Sequence, residues 1–233
     1  MTRAVSRETP PPPPLPAAGE IFGEALGDAI AYADLLASVG VERGLIGPRE
    51  VPRLWERHLL NCAVVAPALA ASASVADIGS GAGLPGLVLA LCRPDVRVTL
   101  IEPMLRRVRF LEEAVSDLGL DSVEIVRARA EELRGDRRYD AVTARALAPL
   151  DRLGAWCLPL VRPGGTLLAF KGESATAELE AAFPTLQGLG ATDAHVAIYG
   201  EGVLAVPTRV VVISTGSTPP APGSARVAGG DVE

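Results

Sequence analysis

The 233-residue chain is poor in several chemically useful side chains. It has three cysteines, two histidines and two tryptophans, and Lys171 is the only lysine among its 22 basic residues. Cys62, Cys92 and Cys157 are widely spaced, contain no C-x-x-C pair and are odd in number, which argues against a disulfide framework or a zinc site. His58 and His195 are too few for a His-rich metal cluster, so no metal is expected. No apolar run approaches the ~20 residues needed to cross a bilayer. The best run, Leu84 to Cys92, is short and contains Pro85. The opening MTRAVSRETPPPPPLP lacks the apolar core of a signal peptide. These absences lead to the expectation of a soluble protein in a reducing cytoplasm, away from membranes. Net basic charge is lacking too: 22 Lys and Arg face 28 Asp and Glu, a net charge of −6. That balance argues against avid coating of nucleic acid, whose phosphates attract clustered cations.

With 48% hydrophobic residues, the chain can bury a core. Prolines crowd residues 10–16 and 219–222, so segments 1–18 and 215–233 are expected to be disordered tails. Residues 19–71 read as a helical cap. Phe22, Ala25, Leu26, Ala29, Ile30 and Ala33 keep helical spacing, and a second helix is expected to start near Pro52 and turn Leu54, Trp55 and Leu59 inward. From 72 to 214 the pattern alternates. Strands are expected at 74–79, 96–101, 122–127, 139–144, 166–171, 194–199 and 208–214, with helices at 84–92, 103–118, 149–161 and 174–182. Alternation of this kind predicts an open, mostly parallel α/β sheet covered on both faces. The last two strands have only a Gly-rich turn between them, which predicts an antiparallel C-terminal edge. Such an edge fits S-adenosylmethionine-dependent (class I, Rossmann-like) methyltransferases better than a plain dinucleotide fold.

The chemistry concentrates at Asp77-Ile78-Gly79-Ser80-Gly81-Ala82-Gly83-Leu84-Pro85-Gly86, between an expected strand and helix. Glycines there permit tight turns and close backbone approach to a ligand. Glu102 ends the next strand, where its carboxylate could accept from ribose hydroxyls, and both features lie at strand carboxyl ends. Gly81, Gly83 and Gly86 also satisfy G-x-G-x-x-G, so an NAD(P)-dependent oxidoreductase and a simple strand-to-helix turn remain alternatives. Asp77 favours the methyl donor, because a carboxylate suits cationic sulfonium and ammonium groups better than pyrophosphate. Ala130-Glu131-Glu132 follows the third strand, where it could meet an adenine edge or simply begin a helix. Arg145 follows the fourth strand, where it could face the crevice or pair with Asp140 or Asp151.

Four segments together resemble the small-subunit rRNA methyltransferase G family, also called glucose-inhibited division protein B. They are D-I-G-S-G-A-G-L-P-G, R-R-V-R-F-L-E-E at 106–113, A-R-A-L-A-P-L at 144–150 and F-K-G at 170–172. Arg57-His58-Leu59-Leu60-Asn61 is similar to the family's R-H-x-x-D/N segment, and the likeness spans about residues 20–214. The resemblance implies transfer of a methyl group from S-adenosylmethionine to N7 of guanine 527 in 16S rRNA, on the small ribosomal subunit. It implies donor contacts at Gly79, Leu84, Ala130, Glu131 and Arg145, with Glu102 at the family's acidic position. A non-catalytic ribosome-assembly factor with a vestigial pocket is the other alternative. The segment G-V-E-R-G-L-I-G-P-R-E-V departs from the N-L-T that many members carry there. Guanine N7 bears no proton, so no general base is expected, and Arg145 is expected to position rather than to move protons. Arg57, His58 and Lys171 are then RNA or positioning contacts, and Arg53 joins Arg57 and His58 on one helix face as the expected RNA grip. A monomer is expected.

Counting by region places the acidity. Residues 1–90 hold 6 Arg against 9 acids, 91–152 hold 12 against 12, and 153–233 hold 4 basic residues against 7 acids. The central stretch is neutral and Arg-dense, compatible with gripping one structured RNA site.

Overall fold

The computed structural model describes residues 12–217. A seven-stranded sheet runs in the order β3-β2-β1-β4-β5-β7-β6. Its strands are β1 (Ser74–Ile78), β2 (Arg97–Ile101), β3 (Val123–Val126), β4 (Tyr139–Arg145), β5 (Val161–Lys171), β6 (Ala191–Tyr199) and β7 (Thr208–Thr215). The first five are parallel, and β7 pairs antiparallel with both β5 and β6. Central strands are buried nearly end to end, as Val- and Ala-rich strands covered on both faces should be. The edge strand β6 is instead half-buried or exposed beyond Ala191. An antiparallel β7 inserted beside β5 separates this sheet from a wholly parallel dinucleotide fold.

The sequence-expected strands all form. β5 begins five residues earlier than expected: Val161 already pairs with Tyr139, and Arg162-Pro163-Gly164-Gly165 bulge out before pairing resumes at Thr166. Its register shifts between Tyr139 and Ala141, and a Cβ on Gly165 would lie 2.7 Å from the Asp140 carbonyl oxygen. The backbones therefore meet where only glycine fits.

Helices α4 (Gly86–Cys92), α5 (Leu105–Asp117), α6 (Leu150–Cys157) and α7 (Ala175–Gly188) cover the sheet. α5 buries Val108, Phe110, Leu111 and Ala114 and leaves Arg106 and Arg109 exposed. The cap comprises α1 (Pro16–Phe22), α2 (Leu26–Leu35), a π-helical stretch Leu36–Gly40, a 3-10 stretch Pro48–Arg53, a π-helical stretch Leu54–Leu60 and α3 (Asn61–Ala63). The second expected cap helix is thus a change of helical pitch rather than one α-helix. Leu54, Trp55 and Leu59 do turn inward.

The N-terminal tail expected over 1–18 needs correction at its inner end. α1 already starts at Pro16, Ala18 is fully buried, and the Trp55 indole donates to the Pro12 carbonyl at 2.9 Å. Proline suits a first helical turn, which is where Pro16 stands. Residues 1–11 and 218–233 of the two expected tails lie outside the described residues. Among the described residues, no helix is long and apolar enough to cross a membrane.

Candidate active site

The glycine loop leaves β1 and enters α4 at the carboxyl edge of the sheet. Gly79, Gly81 and Gly83 all take positive φ. At Gly79 (φ +70°) a Cβ would also lie 2.7 Å from Leu147 Cδ1, so glycine serves both the turn and the contact. Glu102 is buried and binds the loop directly. Its Oε2 accepts from Gly81 N–H at 3.0 Å and from Arg107 at 3.4 Å, and its Oε1 accepts from Met104 N–H at 2.9 Å. A carboxylate has about four acceptor positions. Three are used within the protein, and Glu102 lines neither of the two cavities at this edge.

Asp77 behaves differently from its sequence reading. It is fully buried, its Oδ2 accepts from Gly86 N–H at 3.1 Å, and its Oδ1 accepts from the Thr143 hydroxyl at 3.1 Å. Burial pushes its pKa up to about 6. The carboxylate ties β1, β4 and the start of α4 together instead of facing a cation. A second anchor, absent from the sequence reading, is Tyr32 of α2. Its hydroxyl donates to the Ala82 carbonyl, so the cap holds the loop from outside.

Two cavities meet at this edge. A smaller one of about 130 Å³ is lined by Ile78, Gly79, Ile101, Ala130, Glu131 and Trp156 among others. Ala130 and Glu131 thus lie where the sequence placed them. Glu132 accepts from Arg129 N–H at 2.9 Å and caps the short 3-10 turn, so the acidic pair divides into one cavity residue and one cap. Leu84 lines neither cavity and packs against the cap-side core. The larger cavity, about 470 Å³, is lined by Arg53, Arg57, Arg145, Lys171 and Arg209, with Phe170 and Val206 as apolar wall. Leu147 borders both cavities.

Arg145 ends β4 and is not paired with Asp140 or Asp151. Asp140 is taken by Ser74 and Arg162. The Arg145 guanidinium instead donates to the Arg57 carbonyl at 2.8 Å, to Cys62 Sγ at 3.2 Å and to His58 Nδ1 at 3.1 Å. His58 turns inward: its Nε2 contacts Glu50 at 3.0 Å, and it does not line the cavity. Of the three residues expected on one RNA face, Arg53 and Arg57 line the larger cavity and His58 does not, because the π-helical stretch rotates the imidazole toward β4. Lys171 is also tied down. Its Nζ donates to the Ala148 carbonyl at 2.9 Å and to Glu178 at 2.7 Å, while Glu178 accepts from Leu150 N–H at 2.6 Å. These bonds fix the loop after β4, in which Ala146 adopts φ +52°. A left-handed alanine costs about 1 kcal/mol and persists only when its surroundings hold it. That held turn is what lays Leu147 over Gly79.

The glycine cradle, the acidic Glu102 and the small cavity beside Trp156 suit an adenosyl group. A family model for rRNA small subunit methyltransferase G matches residues 26–205. The chain belongs to that family. The methyltransferase G of a Nocardioides species is 56% identical over 212 residues, covering 91% of this chain and 84% of the relative. That of Thermobifida fusca is 57% identical over 201 residues, covering 86% and 85%. Among solved structures, an S-adenosylmethionine-dependent O-methyltransferase from Thermotoga maritima superposes with a TM-score of 0.53 at 15% identity, covering 69% of this chain and 66% of the other. That likeness concerns the fold. The family assignment supports S-adenosylmethionine as cofactor and disfavours the oxidoreductase alternative. Sequence reading missed the place of Arg209, which sits far along the chain on β7, and of Leu147, whose position depends on the Ala146 turn. Arg209 has no local sequence signal, whereas Leu147 stands within A-R-A-L-A-P-L, which does not show what it covers.

Proposed function

We propose that the protein transfers a methyl group from S-adenosylmethionine to N7 of guanine 527 in 16S rRNA of the small ribosomal subunit, as a metal-independent cytoplasmic monomer. The observation that carries this reading is the junction of the two cavities at Leu147 and Gly79, with arginines on the larger side. Gly79, Ala130, Glu131 and Trp156 would hold the adenosyl moiety, and Glu102 its ribose. The donor supplies an electrophilic methyl carbon on a sulfonium.

Guanine N7 offers a lone pair and needs no deprotonation, so the residues around it have only to orient and desolvate. Arg145 is placed for that work, held on one side by three cap partners with donors left over for the cavity. Arginine also suits a Hoogsteen edge, where O6 and N7 both accept. Cys62 supports the same reading: it is buried, and burial raises its thiol pKa, so it contacts Arg145 as a neutral group and not as a nucleophile. Arg53, Arg57 and Arg209 rim the cavity where an RNA backbone would enter. The test is to map N7-methylguanosine in 16S rRNA from cells with and without the gene, then to treat the undermethylated subunits with purified protein and donor. Restoration at guanine 527 is expected. An unchanged map would refute the enzyme and favour an assembly factor.

A further inference from the structure

Among the described residues Arg145 has no carboxylate partner, and three neutral acceptors from the cap hold it. One of the three differs in kind. A backbone carbonyl and a thiol sulfur accept at any ordinary pH, but an imidazole nitrogen accepts only while it carries no proton. Nδ1 of His58 faces an Arg145 N–H, so it must be the bare nitrogen, and the proton of the neutral ring must sit on Nε2, toward Glu50. The contacts therefore fix the tautomer. They also form a relay from Glu50 in the Pro48–Arg53 stretch, through His58, to the last residue of β4.

We propose that His58 is a positioning residue for methyl transfer: its unprotonated Nδ1 holds the Arg145 guanidinium at the cavity, and protonation of the ring releases it. The proposal rests on the role given to Arg145 above. A proton added at Nδ1 would replace the accepted hydrogen bond by two N–H groups pointing at each other, both on cations. The charged groups around the ring are Arg145 from β4, Glu50 from the preceding stretch and Arg57 from its own; Cys62, on the same guanidinium, is neutral. Burial and Arg145 lower the imidazole pKa, while Glu50 raises it. The acceptor form thus prevails at neutral pH. Glu50 sets how far the pH must fall before it is lost.

The chain has only two histidines, so proton–nitrogen correlation of its imidazoles by NMR resolves the tautomer directly. His58 is expected as the Nε2–H form in the wild-type protein, with a titration midpoint below the ordinary imidazole value. Turnover of undermethylated small subunits should fall on the acid side with that same midpoint. Glu50→Gln keeps an acceptor for Nε2–H and removes the charge, so it should move both midpoints to lower pH together, by about half a unit or more. His58→Ala should lower kcat at least about tenfold at neutral pH and abolish the acid limb, so that its profile meets the wild-type one at low pH. An Nδ1–H tautomer overturns the proposal, and so does an acid limb that stays fixed while Glu50→Gln moves the ring's titration. If the tautomer is as stated but no variant, wild type included, transfers methyl at any pH, the function assigned to Arg145 fails and this proposal fails with it.

Discussion

Gly86→Ala tests how the donor loop is anchored. Gly86 has an ordinary helical backbone at the start of α4, so any cost comes from packing and not from φ. The added Cβ would overlap Leu100 Cδ2 and lie 2.8 Å and 2.9 Å from Asp77 Oδ2 and Cβ. Leu100 and Asp77 are both fully buried on adjacent central strands, so neither has room to retreat. Forcing one methyl into such a site costs about 1–3 kcal/mol. Stretching the Gly86 N–H bond to a buried carboxylate adds a similar ~1–3 kcal/mol. The same displacement produces both effects, so they do not add fully, and a loss of about 2–4 kcal/mol is expected. With a urea m-value of about 2 kcal/mol/M, the unfolding midpoint should fall by about 1–2 M. Fluorescence of Trp55 and Trp156 follows the transition from the cap and from α6 on the sheet. Gly188→Ala is the control, since nothing lies within 4 Å of its Cβ position in α7. Its midpoint should hold or rise slightly. An unchanged midpoint in Gly86→Ala would refute this packing.

Three further outcomes follow from the site. Arg145→Ala should cut turnover at least about 100-fold while circular dichroism and cooperative unfolding persist, and normal turnover would remove its positioning role. Arg53→Ala with Arg57→Ala should raise KM for the small subunit and reduce the salt dependence of binding, by about 0.7 in log–log slope for each phosphate that is no longer neutralised. S-adenosylhomocysteine affinity, measured by calorimetry, should not change. Asp77 should make stability pH-dependent. Its pKa rises from 3.8 to about 6 on folding, so its contribution is full below pH ~4 and is lost as pH rises through about 6. At ~1.4 kcal/mol per pH unit the difference is about 3 kcal/mol. Urea titrations across that range should show the slope in the wild type and a flatter one in Asp77→Asn.

The primary structure alone carried the sheet. Val/Leu/Ile runs of strand length separated by helical periods predicted all seven strands, and the lone Gly-rich turn before β7 predicted the antiparallel edge. These signals are local, set by burial on both faces and by the absence of a crossover helix. The glycine loop, Glu102, Ala130-Glu131 and Arg145 were legible for the same reason: each follows a strand directly, so its place at the carboxyl edge comes with the topology. Partners were not legible. Whether His58 meets solvent or Arg145 depends on a π-helical turn, and whether Asp77 meets a ligand or Gly86 depends on how α4 seats against β1. Tyr32 on the loop and Glu178 on Lys171 join residues 50 and 7 positions apart, and Arg209 reaches the cavity rim from β7. No spacing encodes these pairings. The scarcity of histidine and cysteine argued against metal and disulfide chemistry at the outset. Only the tertiary structure decided that one of those two histidines and one of those three cysteines would hold a single arginine, because side-chain contacts form only once the cap has packed on the sheet.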